Sequence, residues 1–328
     1  MAMKKILVTG GAGYIGSHTT NALIENGFEV VIIDDLSTGF ECLLHPKAKF
    51  YRGCVTDAET TASILTKENI DGVIHFAAKI VVPESISQPL NYYNNNTVGV
   101  IRTLEACKKA GVKKFVFSST AAVYGNGSNA LVNESTPTAP LNPYGFSKLM
   151  SEQLIKDVEV EFGLKSVILR YFNVAGASQS KKYGQITKNA SHLIKIACEA
   201  AVGKRSEMFI TGDDYNTPDG TGVRDYIHVE DLADAHVAAL NYLMAGGDSQ
   251  TLNCGYGHGA SVKEVINTIK KVSGVDFKVS IGPRRVGDAD SIVSDNTKIK
   301  KILNWNPKRD NLELICRSAY EWEKELNL

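Results

Sequence analysis

Tyr144 and Lys148 stand four residues apart in the stretch Asn142-Pro143-Tyr144-Gly145-Phe146-Ser147-Lys148. A spacing of i, i+4 places two side chains on one face of a helix. The segment predicts such a helix: Pro143 suits a first turn, Asn142 can cap it, and Leu149, Leu154, Ile155 and Val158 continue an apolar stripe past the pair. An ammonium beside a phenol stabilises the phenolate, so Lys148 is expected to lower the Tyr144 pKa from about 10 toward a range useful for proton transfer. Tyr144 is thereby a candidate general base. A surface tyrosine and lysine at a helix start would carry the same spacing, so the surrounding elements must decide.

The first of these elements is a nucleotide cradle. Ile6-Leu7-Val8 reads as a buried strand and runs into Gly10-Gly11-Ala12-Gly13-Tyr14-Ile15-Gly16, followed by a helical pattern as far as Gly27. Gly10 suits the tight turn, Gly13 lets backbone amides approach a pyrophosphate, and Gly16 allows close packing of helix on strand. The next strand, Glu29-Val30-Val31-Ile32-Ile33, ends in Asp34-Asp35. That is about 20 residues after the loop, where an acid binds an adenosine ribose diol. Asp34 repels a 2′-phosphate, which selects NAD over NADP. Two further strands, Asp71 to Ala78 and Lys114 to Thr120, end in small or hydroxyl residues. In an open parallel sheet those carboxyl ends line the ligand crevice. Ala77 and Ala78 then leave backbone room for the cofactor, and Thr120 presents its hydroxyl beside it. His75 reads as a core histidine. Tyr92-Tyr93-Asn94-Asn95-Asn96 is expected to open a helix over Thr97 to Lys109, with most of its polar groups as caps and Asn96 reaching the cofactor side.

Composition narrows the classes further. At 328 residues the chain can bury a large core without disulfide staples. Thirty-six basic against 36 acidic residues, with no long run of one sign, gives no electrostatic support for a nucleic-acid or membrane-surface partner. Six cysteines (Cys42, Cys54, Cys107, Cys198, Cys254, Cys316) lack paired metal-ligand spacing, so neither a metal site nor a disulfide framework is expected, and reduced thiols in a cytoplasmic protein are. The apolar run before Gly10 is too short for a signal peptide or a transmembrane span.

Taken in order, the glycine loop, Asp34, Ser118-Ser119-Thr120, Tyr144 and Lys148 resemble the extended short-chain dehydrogenase/reductase family. Three later stretches are similar to the signatures of its UDP-glucose 4-epimerase branch: Arg170-Tyr171-Phe172-Asn173-Val174-Ala175-Gly176-Ala177; Gly212 to Val229, reading GDDYNTPDGTGVRDYIHV; and Pro283-Arg284-Arg285-Val286-Gly287-Asp288. The middle stretch is the most specific, and the similarity spans essentially the whole chain. The resemblance implies an α/β fold: a Rossmann-type doubly wound parallel sheet over residues 1–174 holding NAD, and a smaller α/β UDP-sugar-binding lobe over 175–328. About 224–255 is expected to return to the first unit, and a homodimer is implied. It also implies cofactor contacts from Gly10, Gly13, Tyr14, Ile15, Gly16, Asp34, Asp35, Phe76, Ala77, Ala78, Asn96, Ser118, Tyr144, Lys148 and Tyr171. The related 4,6-dehydratases carry an Asp-Glu pair after the strand-end hydroxyl for eliminating water; Ala121-Ala122 stand there in this chain, which leaves reversible oxidation at C4.

In the reaction so implied, Tyr144 takes the proton of a sugar 4-hydroxyl, Thr120 hydrogen-bonds the reacting oxygen, and Lys148 binds the nicotinamide ribose and, together with the positive nicotinamide ring, depresses the Tyr144 pKa. A UDP-hexose brings a doubly charged pyrophosphate, which Arg224 and Arg285 match as planar forks. Either arginine could instead be a structural partner of Asp225 or Asp288. Asn173 is implied to meet the sugar-phosphate and Asp288 the nucleotide ribose. Several positions depart from the better-known members: His192 replaces an asparagine at the diphosphate, Thr211 a phenylalanine at the uracil, Cys54 an aspartate at the adenine, and Ile80 a lysine near the cofactor phosphates. Ile292 stands where a tyrosine narrows the sugar pocket of strict glucose/galactose enzymes and a small residue admits N-acetyl sugars. Its bulk is intermediate, which leaves UDP-N-acetylhexosamine and UDP-hexuronate epimerases open as alternatives. A non-catalytic sugar-nucleotide-binding protein is a further alternative, although it would not need the base.

Overall fold

A computed structural model describes residues 3–126, 131–187, 190–284 and 288–326. Ile6, Leu7 and Val8 are wholly buried within β1 (Lys5–Thr9). A strand covered on both faces can afford a continuous apolar run, and this one lies at the middle of a parallel sheet. The chain passes through α1 (Tyr14–Glu25), β2 (Glu29–Asp34), β3 (Lys49–Arg52), α2 (Ala58–Lys67) and β4 (Gly72–His75). After the short helices α3 (Val82–Ser87) and α4 (Pro89–Tyr92) come α5 (Gly99–Ala110), β5 (Lys114–Thr120), α6 (Pro143–Phe162) and β6 (Lys165–Tyr171). β1 to β6, joined by the later strand Gln250–Cys254, form a seven-stranded sheet in which every pairing is parallel. Its spatial order runs β3-β2-β1-β4-β5-β6 and then that later strand. The direction of strand addition reverses between β1 and β4, and in doubly wound sheets that switch point is where the ligand crevice opens.

Two apolar clusters sandwich the sheet. Ile6, Val8, Ile32 and Val116 face one cluster, and Leu7, Val31, Val73 and Phe117 face the other, as the two-residue strand period requires. The second half starts with β7 (Asn173–Ala175), α7 (Leu193–Ala201), β8 (Met208–Thr211), β9 (Val223–Arg224) and β10 (Tyr226–His228). It continues with α8 (Val229–Met244), β11 (Gln250–Cys254), β12 (Ala260–Ser261), α9 (Val262–Ser273), β13 (Val279–Gly282), β14 (Ser291–Ile292), α10 (Thr297–Leu303) and α11 (Leu312–Glu325). β8 pairs with β13, β7 with β10, and β9 sits between β12 and β14. α8 packs along α1 and β11 closes the edge of the large sheet beside β6, so the segment from α8 to β11 belongs to the core of the first half.

Two expectations are corrected. Tyr93 to Val98 do not cap a new helix; they form a π-helical turn that joins α4 to α5 without a break. Such turns insert an extra residue and redirect side chains, and are frequent at functional sites. Nor is the buried face of α6 the apolar stripe. It consists of Gly145, Ser147, Lys148, Ser151, Glu152 and Ile155, whereas Leu149, Leu154 and Val158 are only half-buried along its sides.

Candidate active site

α6 begins as its sequence requires. Asn142 Oδ1 accepts from the Gly145 amide at 3.0 Å, Pro143 occupies the first turn, and Tyr144 follows. Lys148, one turn on, is buried and donates to the Ser118 carbonyl at 2.7 Å, with the Phe117 ring 4.9 Å from its ammonium. β5 ends at Thr120, whose Oγ1 accepts from the Ala122 amide at 3.1 Å and starts a short 3₁₀ turn over Ala121–Tyr124. Helix start and strand end therefore meet, bringing Thr120 to Tyr144 at the carboxyl edge of the sheet. The electrostatics differ from expectation. Burial raises the Tyr144 pKa above its ordinary value, opposed by a hydrogen bond from Thr120, and burial lowers that of Lys148 to about 7. Desolvation disfavours each charged form, and a positive charge bound beside the pair would favour the phenolate.

The crevice beside the pair is lined by the glycine loop. Gly10 has φ +71°, the left-handed region, and a Cβ there would lie 2.7 Å from the Ala77 nitrogen. A Cβ on Gly16 would lie 2.2 Å from the Gly10 carbonyl oxygen. The loop, the end of β4 and the start of α1 thus interlock in a space that only glycines permit. The Asp34 carboxylate accepts from the amides of Ala12 at 3.0 Å and Leu36 at 2.8 Å, which aims it into the crevice, while burial raises its pKa. Asp35 accepts from the Ser37 amide. This donor and acceptor set fits a dinucleotide with a free ribose diol. Phe76 packs on His236 at 4.7 Å, and Ser118 and Tyr171 hydrogen-bond each other through their hydroxyls. The Tyr14 hydroxyl reaches the Gly176 carbonyl at 2.6 Å, tying the loop to the second half, and Ile15 packs into the core. Asn96, on the π turn, binds both the amide (2.8 Å) and carbonyl (3.0 Å) of Lys79 and the Ser147 hydroxyl (3.0 Å), so its amide links the segment after β4 to α6. His75 is buried with Nδ1 3.0 Å from the Thr9 hydroxyl, His236 Nδ1 is 2.9 Å from the Leu232 carbonyl, Cys54 Sγ is 3.0 Å from the Thr56 hydroxyl, and Ile80 is exposed.

The second half carries the residues expected to meet the substrate. Asn173 opens β7, and its amide donates to the Asp225 carbonyl at 2.9 Å. Arg224 lies 3.5 Å from Asp288 and donates to the Val223 carbonyl at 2.9 Å. Asp225 is not its partner: that carboxylate is buried and accepts from the Ser294 hydroxyl and amide and from the Tyr256 and Gly257 amides. Ile292 pairs with Arg224 in register and packs with Phe172, Val123, Tyr124 and Val132. Thr211 ends β8, and its carbonyl accepts from the Tyr215 hydroxyl at 3.0 Å. His192 occupies the position before α7 without a side-chain cap bond, its Nδ1 lies 3.1 Å from Gln185 Nε2, and burial lowers its pKa. Arg285 lies outside the described residues.

Sequence reasoning missed two groups. The Arg284 guanidinium lies 3.9 Å from the centre of the Tyr215 ring, next to Asp288. Glu152 and Arg170 form a buried ion pair behind Lys148, and the available signal was spacing: Glu152 continues Tyr144 and Lys148 by a further four residues on one helix face. Among the described residues, no cluster of three or more His, Cys, Asp or Glu is arranged to hold a metal ion, and no helix is long and apolar enough to cross a membrane.

Comparison with known proteins agrees with this geometry. The model of the NAD dependent epimerase/dehydratase family matches residues 6–255, and the chain belongs to that family. It is 50% identical over 325 residues to a UDP-glucose 4-epimerase of Azospirillum brasilense, covering 99% of this chain and 93% of that protein. Among solved structures it is similar to the UDP-Glc/GlcNAc 4-epimerase of Campylobacter jejuni (49% identity, TM-score 0.87, 98% and 100% of the two chains). It is likewise similar to a UDP-glucose 4-epimerase from Brucella ovis in complex with NAD (37% identity, TM-score 0.95, 98% of each chain).

Proposed function

We propose that this chain is an NAD-dependent isomerase that interconverts UDP-glucose and UDP-galactose by inverting the C4 hydroxyl through a transient 4-keto sugar. The observation that carries this reading is the meeting of Thr120, at the end of β5, with Tyr144 and Lys148, at the start of α6, beside the glycine loop. NAD, when bound there, would supply the redox chemistry at C4, as acceptor and then donor of one hydride. Tyr144 takes the proton of O4 and gives it back once the keto sugar has turned over in the pocket. Thr120 hydrogen-bonds that oxygen, and Lys148 favours the phenolate while it carries charge. Gly10, Gly13 and Gly16 cradle the pyrophosphate, and Asp34 takes the adenosine ribose. A grip on the UDP moiety, with little directional contact to the hexose, lets the sugar rotate. Arg224, Arg285, Asp288, Asn173, His192 and Thr211 are the residues assigned to that grip.

The Ile292 wall supports a second reading. Its side chain is half-buried against Phe172 and leaves more room than an aromatic residue, which suits UDP-N-acetylglucosamine as well. Turnover measured on UDP-glucose, UDP-galactose, UDP-N-acetylglucosamine and a UDP-hexuronate separates these readings. Inactivity on all four with retained NAD binding would favour a binding protein. We assign residues 1–174 to NAD, and 175–328 mainly to the UDP-sugar with about 224–255 packed on the first unit, in a cytoplasmic homodimer. Exposed Ile86, Leu90, Phe146, Met150 and Val160 on α3, α4 and α6 supply an apolar surface for self-association. Light scattering of the purified protein tests the dimer.

A further inference from the structure

The face of α6 that carries Tyr144 and Lys148 carries a third ionisable residue one turn further on. Glu152 is buried, and its carboxylate accepts from the Ser119 hydroxyl, from Arg170 Nε at 2.9 Å and 3.2 Å, and from Arg170 Nη2 at 2.5 Å. Strand register explains the convergence. Ser119 and Arg170 are partners in the β5–β6 ladder, so both side chains leave the sheet on the face that α6 covers. Arg170 Nη1 then donates to the Tyr124 hydroxyl at 3.0 Å, and Tyr124 donates to Asn253 Oδ1 at 2.7 Å. Asn253 Nδ2 donates to the Val132 carbonyl at 2.8 Å, and the Val132 amide donates to the carbonyl of Val293, next to Ile292. A continuous polar chain therefore runs from the catalytic helix to the wall of the sugar pocket.

A buried ion pair gains little net stability over apolar residues of the same volume, because desolvation consumes most of the attraction. Stability alone is thus a poor reason for this one, and its position suggests another. We propose that Glu152 is a positioning residue for the reaction: clamped by Arg170, its carboxylate holds Ser119, and with it Thr120, against the helix that carries Tyr144 and Lys148. The groups around Lys148 agree. On β5 it meets the Ser118 carbonyl and the Phe117 ring, on β4 it faces His75, which burial keeps neutral with a pKa lowered to about 3, and on its own helix Glu152 is the anion that opposes its desolvation. This inference rests on Tyr144 being the base.

Glu152→Gln keeps the size of the side chain and an acceptor for Ser119 but removes the charge. We expect kcat to fall at least tenfold with UDP affinity, measured by calorimetry, within twofold of wild type. The acid limb of the kcat profile should move to higher pH, because Tyr144 ionises less readily beside a lysine that has lost its anion. Since that variant leaves Arg170 buried without a partner, Glu152→Gln/Arg170→Gln serves as the folding control. It should recover thermal stability without recovering kcat or the position of the limb. Wild-type kcat and pH limb in the double variant would show a merely structural pair and overturn the proposal. If neither charge variant accumulates, Ser119→Ala, which keeps the ion pair, decides: a several-fold lower kcat supports the clamp, and an unchanged kcat overturns it. Tyr144→Phe measured in parallel separates the two readings, because an active Tyr144→Phe refutes the base itself, whereas an inactive one beside an unaltered Glu152→Gln refutes only the positioning role.

Discussion

Ile292 and Arg224 are register partners in the parallel pairing of β14 with β9. Partners in a ladder leave the strands on the same face about 4.8 Å apart, so the wall proposed for the hexose adjoins the cation proposed for the diphosphate. The strands are tied through Asp225: its backbone amide donates to the Ile292 carbonyl at 3.3 Å, and its carboxylate accepts from the Ser294 hydroxyl at 2.6 Å. Sugar bulk and diphosphate grip can therefore vary independently.

That independence gives the first prediction. Ile292→Tyr should lower turnover of UDP-N-acetylglucosamine at least tenfold relative to UDP-glucose, and Ile292→Ala should move the ratio the other way, with UDP affinity unchanged in both. A variant that weakens UDP binding as much as it alters sugar choice would show that the side chain supports Arg224 rather than lining the hexose.

Removing the phenol oxygen in Tyr144→Phe leaves the capped helix start untouched and should cost about 10²-fold or more in kcat. Steady-state kinetics with bound NAD quantified in the same sample measure this. Activity within tenfold of wild type contradicts the assignment.

The depressed pKa of Lys148 has a consequence for stability. With the folded value lowered to about 7 and an unfolded value of about 10.4, the unfolded chain binds the extra proton between these limits, so the contribution of Lys148 to stability rises with pH across that window. The slope is at most about 1.4 kcal/mol per pH unit in cofactor-free protein. Lys148→Met should abolish it. Denaturation midpoints of both proteins at several pH values across the window give the difference, which cancels the opposing trend of buried Cys107 and Cys316, whose thiols burial pushes up to about 12. Parallel curves for the two proteins would mean that Lys148 stays charged in the fold.

Asp34→Ala removes the carboxylate held by the Ala12 and Leu36 amides. Its loss should weaken NAD binding and relax discrimination against NADP, read from binding isotherms for the two cofactors. Wild-type protein that purifies with NADP would contradict the role given to Asp34.

Gly16→Ala drives a methyl into the Gly10 carbonyl oxygen at 2.2 Å. Because the obstacle is backbone, the loop must shift, costing about 1–3 kcal/mol of stability and most of the affinity for NAD. Thermal denaturation with and without NAD tests both parts, and a variant that keeps full NAD affinity would show that the loop need not fit so closely.

The strands, the glycine loop, the acid at the end of β2 and the start of α6 were legible because their determinants are local: a run of buried residues, a turn that needs positive φ at Gly10, a cap at Asn142. The π turn at Tyr93–Val98 was not, since nothing in a run of tyrosines and asparagines signals one extra residue per turn; it is held by bonds from Asn96 to Lys79 and Ser147, which come from elsewhere in the chain. The apolar stripe on α6 misled for a similar reason. Periodicity marks which residues share a face, but Lys148 and Glu152 are buried because β5 and β6 offer them partners, and Ser151 because the Asn96 and Ser147 carbonyls accept from it.

By itself, then, the sequence determined which groups could do chemistry and in what order the chain presents them, because residue type and short-range spacing are written along it. Only the tertiary structure decided how those groups are charged and paired. Arg224 faces Asp288 rather than Asp225, and burial raises the pKa of Tyr144 and lowers that of Lys148. Desolvation and Coulomb attraction act across space, and the partners they involve lie tens of residues apart.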